Sequence, residues 1–146
     1  MFVNDDKYAG IRLDNQLCFP LYVCSKEIVR KYKPFLDELN LTYTQYIAMM
    51  VLWEKKEVTV TELGNRLYLD SGTLTPLLKK LEQKGYVTRK RMESDERNVC
   101  ISITAKGDEL KEEAVKIPKK IRCCMTLDDN EAKVLYSILH KVLDNF

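Results

Sequence analysis

Five cysteines and one histidine carry the reactive chemistry open to this 146-residue chain. They are Cys18, Cys24, Cys100, Cys123, Cys124 and His140. There is no C-x-x-C pair, so a zinc or iron–sulfur centre is not expected, and no metal or cofactor is assigned. An odd cysteine count in a chain expected to be intracellular argues against a structural disulfide framework. Two roles remain: buried structural cysteine, and thiol redox chemistry. Cys24 and Cys100 fall on an apolar seam and a strand pattern, where the structural role is expected. Cys18 falls in the first turn or so of a helix expected to start near Asp14 or Asn15. Free N–H groups and the helix dipole there favour the thiolate, the form that a peroxide oxidises. A sulfenic acid made in this way condenses with a nearby thiol. His140 reads as an ordinary surface or interface residue.

A second chemistry is legible between Thr59 and Ile103. From Ser71 to Arg91 there are six Lys or Arg and one acid, Glu82. The net charge of the whole chain is only +2, so this local excess carries the argument. Leu74, Leu77, Leu78 and Leu81 follow i, i+3, i+4, i+7 and define a buried helix face. That leaves Ser71, Thr73, Thr75, Pro76, Lys79 and Lys80 pointing outward, short and polar side chains that can approach base edges and phosphates. Arg89 joins them from the strand that follows, and Asp95 and Arg97 from the tip of a hairpin. Helix, turn, helix and charged hairpin in that order form a winged helix-turn-helix, whose business is duplex DNA.

The elements that must position these groups are visible in outline. Met1 to Ile11 is polar and loosely held. The first helix runs to about Tyr32. Leu17, Leu21, Cys24 and Ile28 form a heptad-like seam on it, suited to a partner helix. Pro20 interrupts the pattern: an early-turn position costs little, an interior one a backbone bond. Pro34 interrupts again. Tyr46 to Trp53 is apolar on nearly every face and belongs at the centre. Glu54 to Glu57 reads as a charged loop. Thr59 and Glu62 have capping-box spacing. Asp70 or Ser71 caps the next helix, and Gly85 ends it in a left-handed conformation. Tyr86 to Lys90 and Val99 to Ile103 form a two-stranded ribbon. Thr104 caps a third long helix, carrying Leu110, Ala114, Val115 and Ile117 and kinked or divided by Pro118. Thr126 with Asp129 caps the last helix, striped by Leu135, Ile138, Leu139, Val142 and Leu143. The fold expected is mainly α with a small β-wing, one domain over 1–146. Its DNA-binding module spans about 43–104, and dimerisation helices span about 13–39 and 105–146. A dimer buries both end helices and offers two recognition helices to two half-sites of a pseudo-palindromic operator. No run approaches the ~18 apolar residues of a membrane span. No secretory leader is recognised in MFVNDDKYAG, and a cytoplasmic protein is expected.

Several strings carry a family likeness. They are Leu17-Cys18-Phe19 with Tyr22, Leu41-Thr42-Tyr43, the run from Tyr68 through Leu69-Asp70-Ser71-Gly72-Thr73-Leu74-Thr75-Pro76-Leu77-Leu78 to Lys79, and Asp95-Glu96-Arg97. In these the chain resembles the MarR family of bacterial transcriptional regulators, and within it the OhrR branch that senses organic hydroperoxides. The likeness covers nearly everything from Leu13 onward. It implies a repressor with one wing per subunit, with Arg97 in the minor groove and oriented by Asp95. It implies that Cys18 is the sensing thiol, held by Tyr32 and Tyr43 of the other subunit, with Tyr22 close by. It also implies an intersubunit disulfide from Cys18 to Cys123, with Cys124 as the substitute. Pro20 stands where the likeness implies an aliphatic residue. Two other functions are weighed: a repressor of the same fold released by a small aromatic or phenolic ligand, and a thiol peroxidase. The second leaves the DNA module unexplained, so a regulator rather than an enzyme is expected.

Overall fold

The computed structural model describes residues 7–92 and 95–146, with the side chains of 92 and 95–98 outside the description. Two 3-10 turns, Ala9–Ile11 and Leu13–Asn15, lead into helix α1 (Cys18–Glu38) and helix α2 (Tyr43–Lys55). Strand β1 (Glu57–Thr59), α3 (Val60–Leu67), α4 (Ser71–Gln83), β2 (Val87–Met92) and β3 (Asp95–Ile103) follow. Short helices α5 (Ala105–Glu109), α6 (Lys111–Ala114) and α7 (Ile117–Arg122) lead to α8 (Asp129–Leu143).

The core is built around α2. Thr42 starts it with a reciprocal box: its hydroxyl accepts from the Gln45 N–H, and Gln45 Oε1 accepts from the Thr42 N–H. Tyr46, Ala48, Met49, Val51, Leu52 and Trp53 are buried, as expected of this run, but Ile47 is only half-buried and Met50 is 47% exposed, so one face of the helix stays outside the core. Leu63 of α3, the four leucines of α4, Ile101 of β3, and Ala114, Ile117 and Ile121 close around them. The Trp53 indole N–H donates to the Gly107 carbonyl at 2.9 Å, which satisfies its one buried donor.

The helix-turn-helix follows its sequence signals. Thr59 and Glu62 form the expected capping box on α3. Tyr68 takes a left-handed conformation (φ 53°) at the turn, and Leu69 N–H donates to the Gly64 carbonyl. Asp70 is the cap of α4, accepting from the Thr73 N–H at 2.9 Å. Gly85 follows α4 with φ 76°, the conformation expected of it.

Elsewhere the structure corrects the sequence reading. The ribbon belongs to a three-stranded antiparallel sheet in the order β1-β3-β2. Glu57, read as loop, pairs with Ser102, and Val58 with Ile101. Three residues are too few to show a strand period. The first helix starts at Cys18, not near Asp14. Asn15 Nδ2 and Gln16 Nε2 donate back to the Ala9 and Gly10 carbonyls, and these local bonds hold the preceding chain in 3-10 turns. Pro20 is then the third helical residue, where its missing N–H costs nothing. Pro34 does not interrupt α1, which runs on to Glu38 and buries Leu36. The third long helix is divided ahead of Pro118, between α6 and α7, as expected, and once more at Leu110, between α5 and α6, which was not expected. Pro118 has no N–H for the Ala114 carbonyl, and tight bonds such as Lys116 N–H to Glu113 O take over beside it. Val115, expected to be an apolar contact, is 70% exposed. Asp128 rather than Thr126 caps α8, because its carboxylate accepts from both the Asn130 and Glu131 N–H groups.

Candidate DNA interface and thiol switch

The outward face of α4 is as the leucine spacing requires. Leu74, Leu77, Leu78 and Leu81 are buried, and Ser71, Thr73, Thr75, Pro76, Lys79 and Lys80 are exposed. Thr73 Oγ1 donates to Asp70 Oδ2 at 2.9 Å and Thr75 Oγ1 to the Ser71 carbonyl at 2.7 Å, which orients both hydroxyls. The Thr73 backbone and hydroxyl hydrogen bonds hold the Asp70 carboxyl below its usual range.

The six cations of this stretch divide by partner. Lys84 Nζ donates to the Asn40 carbonyl at 2.6 Å and to Gln45 Oε1 at 3.0 Å, tying α4 to α2. Arg89, expected at the interface, is half-buried and its Nε sits 2.8 Å from Glu82 Oε2. Lys79, Lys80, Lys90 and Arg91 are exposed. Lys90 and Arg91 were counted in the charge excess but not singled out; for Lys90 its alternation with half-buried Arg89 along β2 was the available signal, whereas Arg91 shares the face of Arg89 and had none. The side chains of Asp95 and Arg97 lie outside the described residues.

The thiol site has two halves far apart in one chain. Cys18 is the first residue of α1, exposed, in a turn whose cap residue, Leu17, offers no side-chain acceptor. Tyr22, one turn on, is exposed, with Lys26 Nζ 5.6 Å from its ring centre. Tyr32 and Tyr43 form an edge-to-face pair at 5.0 Å, backed by Tyr46 at 5.9 Å from Tyr32. Burial, and then the neighbouring Tyr43, push the Tyr32 hydroxyl up, and the same causes with Tyr32 push Tyr46 up to about 12. Tyr32 therefore stays a protonated donor well above neutral pH. It faces an open groove of about 820 Å3, walled by Ile121, Arg122 and Met125 and by Asp129, Lys133 and Tyr136 of α8. Cys123 and Cys124 lie between Arg122 and Met125 and are exposed.

Further along α1 a second groove, about 330 Å3 and almost wholly apolar, lies between Leu17, Leu21, Cys24 and Ile28 on one side and Leu135 and Leu139 on the other. α8 thus runs antiparallel to α1, its first turns beside Tyr32 and its later turns beside Leu17. Cys18 and Tyr32 are 14 residues apart on one helix, about 21 Å at 1.5 Å per residue. Cys123 is at the Tyr32 end, next to Arg122. A disulfide needs its Cα atoms within ~7 Å, so within one chain Cys18 and Cys123 are out of reach. Cys24 is exposed on this groove rather than packed in a core; Cys100 is half-buried, its thiol 3.7 Å from the Val58 carbonyl.

A helix-turn-helix with a β-sheet wing, carried between long end helices, defines a winged-helix regulator of transcription. Residues 30–114 match the family described as transcriptional regulator SarA/Rot. The organic hydroperoxide resistance transcriptional regulator of Bacillus subtilis is 50% identical over 140 residues, 96% of this chain and 95% of that one. Reduced AbfR bound to DNA superposes with TM-score 0.80 at 36% identity, covering 97% of this chain and 99% of that one. The disulfide form of AbfR gives 0.65 at the same identity, covering 95% and 94%. A mutant MarR of E. coli complexed with operator DNA gives 0.82 at 26% identity, covering 94% and 99%. The chain belongs to the MarR family of transcriptional regulators, in the branch of the organic hydroperoxide resistance regulator. No helix among the described residues is long and apolar enough to cross a membrane.

Proposed function

We propose that this protein is a homodimeric, DNA-binding repressor whose grip on a pseudo-palindromic operator is released when an organic hydroperoxide oxidises Cys18. Residues 43–104 form the DNA module of each subunit, and 13–39 with 105–146 the dimerisation helices. Ser71, Thr73, Thr75, Pro76, Lys79 and Lys80 enter the major groove, and Arg97, steered by Asp95, the minor groove. Arg89 acts through its ion pair with Glu82, holding the wing to α4, and Lys90 and Arg91 supply charge to phosphates. Its place of work is the cytoplasm, where bacterial DNA is.

The observation that carries the thiol half is the separation along α1. Cys18 is about 21 Å of helix from Tyr32. A second copy packed antiparallel brings its Cys18 into the groove beside Tyr32, Tyr43 and Cys123 of the first. Protonated Tyr32 donates to the sulfur anion there, with Tyr22 lining the approach. The thiolate attacks the peroxide, yielding a sulfenic acid and releasing the alcohol. The Cys123 thiol of the other subunit then attacks that sulfur, forming a disulfide and expelling water, with Cys124 as the substitute. Closing the bond draws α1 of one subunit toward α7 of the other and changes the spacing of the two α4 helices. The thiol is a switch rather than a turnover catalyst.

The test is a gel shift on the operator with cumene hydroperoxide, in wild type and Cys18→Ser. Wild type releases DNA and gives a dimer-sized band without reductant, whereas the serine variant stays bound. Release from the variant would remove Cys18 from the switch. It would favour the second reading, an aromatic acid held between the tyrosines and the Arg122 and Lys133 cations of the groove.

A further inference from the structure

We infer that Thr73 and Thr75 read the operator as hydrogen-bond acceptors only, each taking a bond from the exocyclic amino group of an adenine or a cytosine and so fixing which strand carries that base. This rests on the reading that α4 enters the major groove. A threonine in general serves donors and acceptors alike, because its hydroxyl offers one proton and two lone pairs. Here both protons are spent inside the protein. Thr73 Oγ1 donates to Asp70 Oδ2 at 2.9 Å, and Thr75 Oγ1 to the Ser71 carbonyl at 2.7 Å. Neither partner has a proton to return, so chemistry fixes the direction of both bonds. A carbonyl never donates, and the Thr73 backbone and hydroxyl bonds hold the Asp70 carboxyl below its usual range and hence ionised. What each hydroxyl still shows to the outside is its lone pairs, and both residues are exposed.

At about 100° of helix per residue the two threonines stand about 200° apart around α4. The four leucines fill the buried side between them. On the outer side Gly72 and Pro76 lie between them, and neither has a polar side-chain atom. The hydroxyls therefore sit on opposite flanks of a nonpolar strip and meet different base pairs. A phosphate offers only acceptors, so an oxygen with its proton spent has no bond to make there. In the major groove guanine and thymine likewise offer acceptors, and adenine N6 and cytosine N4 alone donate. Each base pair carries one such amino group, so an acceptor tells A·T from T·A and C·G from G·C. Turning Thr73 toward a guanine or thymine would break a bond to an anion, at a cost of roughly tenfold or more in affinity.

Full-length reduced protein and a pool of random duplexes test it. Wild type, Thr73→Val and Thr75→Val are each taken through selection and sequencing. Each valine keeps the shape and loses the hydroxyl, so each variant should lose the base preference at one pair per half-site, a different pair for each. At those pairs the amino group is then deleted, with purine in place of adenine or 2-pyrimidinone in place of cytosine. In a second duplex the 7-deaza analogue removes N7 from the purine of the same pair. Losing the amino group should cost wild type about tenfold in affinity and the matching valine variant nothing. Losing N7 should affect both proteins alike. Asp70→Asn supplies the inverse. Its Oδ1 can still accept from the Thr73 N–H, the bond that Asp70 makes at 2.9 Å, so its amide NH2 faces Thr73 Oγ1 and frees the hydroxyl proton. The base selected at the Thr73 pair should then change from adenine or cytosine to guanine or thymine on that strand, with the Thr75 pair unchanged. The lost negative charge raises affinity for all duplexes alike and leaves the preference untouched. An N7 cost confined to wild type, or an Asp70→Asn selection identical to wild type at the Thr73 pair, overturns the polarity while leaving α4 in the groove. Valine variants that select the wild-type sequence unchanged remove the threonines from the bases. Tight binding by wild type with no preferred sequence sinks the placement of α4 itself, and the inference with it.

Discussion

Tyr32 and Cys100 show how side-chain surroundings sort the reactive groups. Burial and Tyr43 raise the Tyr32 hydroxyl, so it remains a donor at every pH at which a repressor works. Tyr32→Phe keeps the ring stack and loses the donor. We expect oxidation of Cys18 by cumene hydroperoxide, followed by stopped flow, to slow about tenfold, the worth of one hydrogen bond to a charged sulfur. An unchanged rate would remove Tyr32 from the site. Burial, then the Glu57 hydrogen bond and charge, push the Cys100 thiol up. A raised thiol has less thiolate at a given pH and reacts more slowly. Near pH 7.5, iodoacetamide should therefore label Cys100 last, about tenfold behind the exposed cysteines. Rising pH should narrow the gap, and peptide mapping gives the order. Labelling as fast as Cys18 would show that the strand does not protect it. The role expected for Tyr32 came from the family likeness and that for Cys100 from its strand pattern, whereas the reasons lie in Tyr43 and Glu57, which the fold brings to them.

At the scale of elements, the caps and turns of the DNA module were legible because each is closed by residues three to five positions apart. Thr59, Asp70, Thr104 and Gly85 do what their types and spacings imply. The errors fall where an element depends on a distant partner. β1 exists because β3 pairs with it 41 to 45 residues away, and α1 passes through Pro34 while burying Leu36 in a core made by other segments. Gly107 is the sharpest contact between elements. A Cβ there would stand 2.1 Å from the Tyr86 carbonyl oxygen, and its own carbonyl accepts from Trp53. Gly107→Ala must push α5 off the sheet, and we expect a loss of about 3 kcal/mol in urea unfolding, the upper end for overpacking. A loss below about 1 kcal/mol would mean that the junction gives way freely.

For the whole molecule, the open question in a single chain is what covers α8. None of its residues is buried, and a 15-residue helix is marginal alone in water. Its stripe, with Leu17 at 76% exposure across the groove, is an apolar surface awaiting a second copy. Leu135→Glu with Leu139→Glu should therefore give a monomer in sedimentation and weaken operator binding at least 100-fold, since one half-site must then bind without the other. The helix-turn-helix core should unfold as before. A variant that stays dimeric would put the interface elsewhere. The sequence by itself determined the class: the leucine spacing, the caps and the cationic helix face are local, and local order dictates a helix-turn-helix wherever it is built. It also marked Cys18 as the thiol at a helix start. Tertiary structure alone decided which cations are left for DNA, because Lys84 and Arg89 are claimed by Asn40, Gln45 and Glu82. It alone separated Cys18 from Cys123, because Cys18 begins α1 while α7, which ends beside Cys123, packs near Tyr32 at the far end of that helix. Those outcomes depend on contacts between distant segments, which no spacing along the chain encodes.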